Sequence, residues 1–337
     1  MLIDKNLLKS CFHNMLYLHE EDRGIKAERF TVNQQEYYAT ISYIGLEAEK
    51  PLMTSGITVE FETDAEEIAL DYVIGGGYVD CGNERCSSFD VYVDGLMLHS
   101  HTEYILPDRV GTVRINLSGR RMRKIQIWLP SLYEAFVRSL TVSDGAQFHA
   151  IPGRPKKLLV CGDSITQGVG SHFASAGYAM RLARRMKDYE VLNHGIAAFM
   201  FDENSLDWAM DYQPDLIITA YGTNDWSKLA SKQEFDRNLT AYIDRLCTIW
   251  PNIPVVMMSP LWRCDWNRYR YDKYDFYEVY PAMKKLVAGY TNVTVVNGVD
   301  LIPHAANVFL DGLHPNDYGG MLVGDALYRT LEERSLL

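Results

Sequence analysis

The sequence predicts an α/β protein built in two parts: an all-β sandwich, then a domain whose parallel sheet is covered by helices on both faces. Three observations point there. From Arg29 to about Ser143, short runs of alternating apolar and polar residues are bounded at close intervals by Gly, Asp, Asn, Ser or Pro. Beyond residue 151, uncharged strand-like runs alternate with stretches of helical period. A chain of 337 residues, 47% hydrophobic and 23% charged, has the composition of an ordinary folded protein with material for two cores.

Taken in order, residues 1–28 contain "LLKSCFHNMLYL", whose apolar residues recur at roughly helical spacing, so an amphipathic lead-in helix is expected there. It would cover the neighbouring domain or another subunit. Residues 29–150 supply "GITVEFETD", "EIALDYVI", "FDVYVDG", "TVRINLSG", "KIQIWLP" and "VRSLTVSDG", strands of an antiparallel, jelly-roll-like sandwich. Asp94-Gly95 between two such runs tolerates the positive φ of a tight hairpin. "VIGGGYVDCGNERCSS" is read as a flexible sandwich loop, and His99 and His101 as surface residues of one strand face rather than metal ligands.

"IPGRPKK" reads as the linker that opens the third segment, 151–337. The strands expected there are "KLLVCG", "EVLNHG", "DLIITAYG", "IPVVMMSP" and "VTVVNG", and the helices "YAMRLARRMK", "NSLDWAMD", "FDRNLTAYIDRLCTIW", "VYPAMKKLVAGY" and "GGMLVGDALYRTLEER". In an open parallel sheet, ligands bind at the carboxyl ends of the strands.

Charge and cysteine usage narrow the classes of partner. With 33 basic against 44 acidic residues the net charge is -11, which repels nucleic acid and anionic lipid. The run Arg120, Arg121, Arg123, Lys124 is read as a solvated face. No run of about 18 uncharged apolar residues predicts a membrane span, and Asp4, Lys5 and Lys9 interrupt any export signal, so a cytoplasmic location is expected. Six cysteines without a C-x-x-C pair suit reduced thiols, and Cys81 and Cys86 are taken as loop thiols.

Ser164 in "CGDSITQG" lies just past the first strand of the parallel sheet. A serine hydroxyl needs a base to take its proton, and acyl transfer needs donors aimed at the developing oxyanion. The other strand ends offer Gly195 in "NHGIA", Asn224 in "YGTND", and Asp311 with His314 in "DGLHPND". An acid three residues before a histidine can hold one ring nitrogen while the other faces the serine. Pro315 keeps His314 out of helical backbone and in a loop over the sheet edge. "GDSITQGVG" lacks the Gly-Lys-Ser/Thr of a phosphate-binding loop, and Thr166 stands where a G-x-S-x-G elbow needs its second glycine.

The blocks "GDSIT", "NHG", "GTND" and "DGLHP" resemble those of the SGNH, or GDSL-type, hydrolases, from about Lys156 to the C-terminus. That resemblance implies a three-layer α/β/α sandwich with a flavodoxin-like sheet. It makes Ser164 the nucleophile, His314 the base and Asp311 its orienting acid. The oxyanion hole it implies consists of the Ser164 and Gly195 amides and the Asn224 side chain. The domain order is similar to that of two-domain carbohydrate O-acetyl esterases. No metal or other cofactor is called for.

The aromatic stretch "LWRCDWNRYRYDKYDFYEVY" follows the fourth strand and suits sugar rings or a packing interface, including one between subunits. Trp262 and Trp266 within it, and Trp226 after "GTND", are candidate substrate contacts. The expected activity is removal of short acyl groups, acetyl first, from an oligosaccharide. Lipid acyl hydrolysis (lysophospholipase or thioesterase chemistry) and non-catalytic glycan binding are the alternatives.

Overall fold

In the computed structural model the described residues are 1–42, 49–77, 88–102, 109–229, 231–268 and 272–337. Cys81, Cys86 and most of the glycine-rich loop around them lie outside these residues. The chain opens with a five-residue helix, α1 (Lys5–Lys9), capped by the Asp4 side chain. It then turns to strands β1 (Phe12–His13), β2 (Tyr17–Glu21) and β3 (Gly24–Glu28). The expected helical lead-in over 1–28 is therefore corrected: most of this segment is sandwich. Two positive-φ turns, at Asn14 (60°) and Gly24 (137°), break any longer helix. Leu8, Cys11 and Phe12 enter the sandwich core.

Helix α2 (Val32–Ala39) follows, with a Thr31/Gln34 capping box. Strands β4 (Thr58–Thr63), β5 (Glu67–Gly77), β6 (Phe89–Val93), β7 (Leu96–His101), β8 (Val110–Asn116), β9 (Arg123–Trp128), β10 (Tyr133–Val142) and β11 (Phe148–Ala150) complete the sandwich. One sheet runs β1-β4-β9-β6-β7, with β11 also on β4; the other runs β2-β3-β10-β5-β8. Alternating side chains such as Val59, Phe61, Leu70, Tyr72, Ile125 and Ile127 fill the space between them. Asp94 (φ 51°) and Gly95 (φ 84°) form the expected two-residue hairpin turn.

The parallel sheet begins at β12 (Lys156–Gly162), followed by α3 (Ser164–Gln167), α4 (Tyr178–Arg185), β13 (Tyr189–Gly195), β14 (Leu216–Ala220), α5 (Thr223–Lys228), α6 (Lys232–Ile249), β15 (Val255–Met258), α7 (Val279–Leu286), β16 (Val293–Val296) and α8 (Asp317–Glu333). The strand order β13-β12-β14-β15-β16 is flavodoxin-like. Leu158, Leu159, Val160, Ile217, Ile218 and Val256 are wholly buried, as a sheet covered on both faces requires. Helix α4 packs on α8 and α6 on α7.

"NSLDWAMD" is not the helix its pattern suggested. It holds only a 3-10 turn at Glu203–Ser205. The Asp207 carboxylate there is drawn to Thr31 (2.5 Å) and Asn33 (3.3 Å) at the start of α2. No helix among the described residues is long and apolar enough to cross a membrane.

The two parts meet through buried polar groups. Glu60 of β4, wholly buried, takes two hydrogen bonds from Arg154 at 2.9 and 2.7 Å, and Arg154 also reaches Glu190 of β13 at 3.1 Å. Ser55 donates to the Gln167 carbonyl (2.6 Å), and Asp90 accepts from the Ser175 amide (2.8 Å) and hydroxyl (2.7 Å). The Arg120–Lys124 run is structural: Arg123 binds the Ser118 and Gly119 carbonyls, Arg121 pairs with Asp94, and Lys124 with Glu60.

Candidate active site

Register brings the site together. Gly162 of β12 is paired with Gly195 of β13 on one side and Ala220 of β14 on the other. Ser164 and Asn224 thus emerge within a few residues of one rung, at the carboxyl edge of the sheet. Ser164 is the first residue of α3, capped by Asp163, whose carboxylate accepts from the Ile165 amide at 2.9 Å. The Ser164 hydroxyl is 2.9 Å from His314 Nε2, and His314 Nδ1 is 2.7 Å from Asp311 Oδ2. Asp311 Oδ1 also accepts the His314 and Leu313 amides at 2.8 and 2.9 Å, which ties ring and carboxylate to the same short loop. At Gly170 (φ 100°) an added Cβ would fall 2.7 Å from that of His314, so this glycine lets the 168–170 turn close against the histidine.

Partial burial pushes the Asp311 carboxyl upward, but hydrogen bonds from the His314 ring and backbone, with the Leu313 amide, outweigh it and hold the group well below the usual carboxylate range. It therefore stays anionic and keeps the ring proton on Nδ1, which leaves Nε2 as the acceptor toward Ser164. Asp163 behaves oppositely. Complete burial pushes its carboxyl up to about 6, against the lowering influence of the Ile165 amide and the charges of His314, Lys228 and Arg263.

Gly195 does not fill the place the sequence reading assigned to it. Its N–H donates to Asn193 Oδ1 at 2.8 Å. It is a glycine for packing reasons: an added Cβ would lie 2.3 Å from the Gln167 amide nitrogen, inside the first turn after the serine. Three residues on, Ala198 adopts a left-handed backbone (φ 69°), rare for a residue with a Cβ. Its N–H has no acceptor among the described residues. The same turn is bound to α5, with Asn224 Nδ2 donating to the Phe199 carbonyl (3.0 Å) and Lys228 to the Ala198 carbonyl (3.2 Å). One Nδ2 hydrogen of Asn224 goes to Phe199, and a second remains. The cue in the sequence was small: "GIAAF" is a tight run of small residues after a strand, but residue type alone does not reveal which amide is free.

Of the three tryptophans, Trp226 is corrected from substrate wall to core. It is 3% exposed, its indole N–H donates to the Tyr274 carbonyl (2.9 Å), Arg263 lies over its ring and Phe276 meets it in a T-shaped contact. Trp262 is also buried, stacked on His304 with the rings 7° from parallel and 5.3 Å apart. Trp266 is only half-buried and packs edge-on against the exposed Tyr277. It sits two residues beyond Cys264, whose amide donates to the Gly312 carbonyl (2.8 Å) beside Asp311. Tyr269 and Tyr271 lie outside the described residues. His101 hydrogen-bonds Tyr72 at 2.9 Å, and no group of three or more His, Cys, Asp or Glu among the described residues is arranged to hold a metal.

Comparison with known proteins agrees with this layout. Residues 160–321 match the GDSL-like lipase/acylhydrolase family, and residues 10–138 match the N-terminal domain of SsfX3. No curated protein matches the sequence. Among solved structures, the salicylyl-acyltransferase SsfX3 of a tetracycline biosynthetic pathway superimposes with a TM-score of 0.79 at 19% identity, over 97% of this chain and 95% of its own. A Bacteroides ovatus protein described as a GDSL-like lipase gives 0.77 at 16%, over 99% and 97%. A family two carbohydrate esterase from Clostridium thermocellum, solved with cellohexaose, gives 0.64 at 16%, over 84% and 94%. At such identities the likeness is one of fold. Residues 160–321 are a GDSL-like lipase/acylhydrolase domain, set behind an N-terminal β-domain in the two-domain layout of the family two carbohydrate esterases.

Proposed function

We propose that the protein is a serine esterase that removes short acyl groups, acetyl first, from a carbohydrate. The observation that carries this reading is the Ser164–His314–Asp311 chain of hydrogen bonds at 2.9 and 2.7 Å on the carboxyl edge of the sheet. Ser164 Oγ attacks the ester carbonyl and its proton passes to His314 Nε2. The C–O bond to the sugar then breaks, and the departing oxygen takes that proton. Water, deprotonated by His314, attacks the acyl-enzyme and releases the carboxylate with Ser164 restored.

The oxyanion is assigned to the Ser164 and Ala198 amides and the second Nδ2 hydrogen of Asn224, with Ala198 in place of Gly195. Asn224→Ala is expected to lower kcat about 10²–10³-fold with little change in KM, as loss of one oxyanion donor does. Steady-state kinetics on a nitrophenyl acetate check it, and an unchanged kcat would remove Asn224 from the oxyanion site.

The carbohydrate part is supported by the half-exposed Trp266–Tyr277 pair near Asp311 and by the layout shared with carbohydrate esterases. Its test is turnover across nitrophenyl esters from acetate to octanoate, repeated on acetylated oligosaccharides with acetate measured directly. Short-chain preference that extends to the sugars is the expected result. Preference for octanoate would transfer the function to lipid acyl hydrolysis. The likeness to an acyltransferase adds one arm: with free oligosaccharide as acceptor, acetyl appearing on sugar rather than as acetate would make this enzyme a transferase.

A further inference from the structure

Two cations from the sandwich side of the chain are buried behind the oxyanion turn. Arg29, wholly buried, makes no ion pair with a carboxylate among the described residues. Its guanidinium donates to four carbonyls: Met53 (2.6 Å), Lys50 (3.2 Å), Asn193 (2.6 Å) and Gly195 (3.2 Å). Lys50 is also wholly buried, and its ammonium donates to the Ala197 carbonyl at 3.2 Å. For Arg29, burying a charge against carbonyls in this way is costly, and a neutral side chain would spare the cost.

The Ala197 carbonyl and the Ala198 N–H belong to one peptide unit. In a planar trans peptide they point in opposite directions, and the chain has no cis bond among its described residues. An ammonium fixed on the Ala197 oxygen therefore sets the plane and aims the Ala198 N–H away from Lys50. It also draws electron density toward that oxygen, which makes the N–H a stronger donor. Arg29 holds the two carbonyls upstream, so the turn cannot roll about its axis.

We propose that Lys50 is a positioning residue for oxyanion stabilisation, with Arg29 bracing the same turn, so that the N-terminal half of the chain completes the catalytic centre of the C-terminal half. This rests on the assignment of Ala198 as an oxyanion donor. The test uses the full chain with nitrophenyl acetate as substrate and a short alkylboronic acid as tetrahedral mimic. In Lys50→Met, kcat and boronate affinity are expected to fall together by about 10–100-fold, with KM within about twofold and the pH profile unmoved. Lys50→Arg, which keeps a charged donor, recovers part of both.

A folded Lys50→Met protein with wild-type boronate affinity overturns the proposal. If that variant does not fold, Lys50→Gln withdraws the ammonium while keeping a polar head, and the same parallel fall, or its absence, decides. Titrating the wild type with the boronate while observing ¹⁵N-alanine amides separates the two levels of inference. A silent Ala198 amide overturns the oxyanion assignment itself, whereas a responding amide with unaltered affinity in the Lys50 variants overturns only the role of Lys50.

Discussion

Ser164→Ala is expected to lower kcat on short-chain esters by about 10⁶-fold if Ser164 is the nucleophile proposed, the scale found when a triad serine is removed. It should leave the melting temperature close to that of the wild type. The residue is 7% exposed and its hydroxyl is hydrogen-bonded, among the described residues, to His314 alone, so one buried oxygen is lost and no cavity of consequence opens. The Ser164 amide survives the substitution, as do Ala198 and Asn224, so a residual acceleration of about 10³–10⁴ over water is expected from the oxyanion donors and from binding. Affinity for an acetylated oligosaccharide should persist, since the hydroxyl contributes to bond-making rather than to holding the sugar. Calorimetry with the variant and acetate release by both proteins together check this. Equal acetate release would remove Ser164 as nucleophile, and binding without turnover in either protein would favour a glycan-binding role.

What could be read beforehand divides along physical lines. The parallel strands were visible because a sheet buried on both faces leaves uncharged runs, and the groups that meet at the candidate site were visible because the strand ends carry them in short local blocks. Ser164, Asn224, Asp311 and His314 are of that kind: each is placed by a turn within a few residues of itself. Gly195 and Ala198 show where this stops. Which amide of "HGIAAF" remains free depends on Asn193 folding back on Gly195 and on α5 gripping the turn through Asn224 and Lys228, and no local pattern encodes either. The opening segment misled for a related reason. Two-residue β1 has no period to detect, and a helical spacing of Leu8, Cys11 and Phe12 is equally met by a short helix followed by a strand. Trp226 looked like a sugar platform because its residue type suits both a binding wall and a core, and only the Tyr274 carbonyl and Phe276 ring decide between them. Arg29, Lys50 and Arg154 are further still from local reading, because the groups they hold in the parallel-sheet domain lie far along the chain.

Arg154→Met should cost about 3–5 kcal/mol of stability, as removal of one member of a buried ion network does. Arg154 lies in the linker between the sandwich and the parallel sheet and serves two carboxylates, Glu60 from one and Glu190 from the other. Burial raises both acids, but the charge and hydrogen bonds of Arg154 and His13 overcome it. Glu60 is held below its ordinary value and Glu190 is brought down to about 2. A depressed folded pKa means that the wild type keeps this stabilisation above the unfolded value of 4.5 and loses it as pH falls toward about 2. Without Arg154, the largest opposing influence on Glu60 is gone and burial becomes dominant, with only the charge of His13, hydrogen bonds from Gln126 and Thr58, and a more distant Lys124 at 3.6 Å left against it. Its folded pKa then rises above 4.5, and the sign inverts: relative to the wild type, the variant is most stable near pH 4.5 and loses stability as pH climbs toward neutrality. Urea unfolding at a series of pH values checks both the loss and its slope, and a second substitution, Glu60→Gln, should restore much of the loss because the uncompensated charge is gone. A variant whose stability tracks the wild type from pH 4.5 to 7 would show that the pair is screened rather than buried.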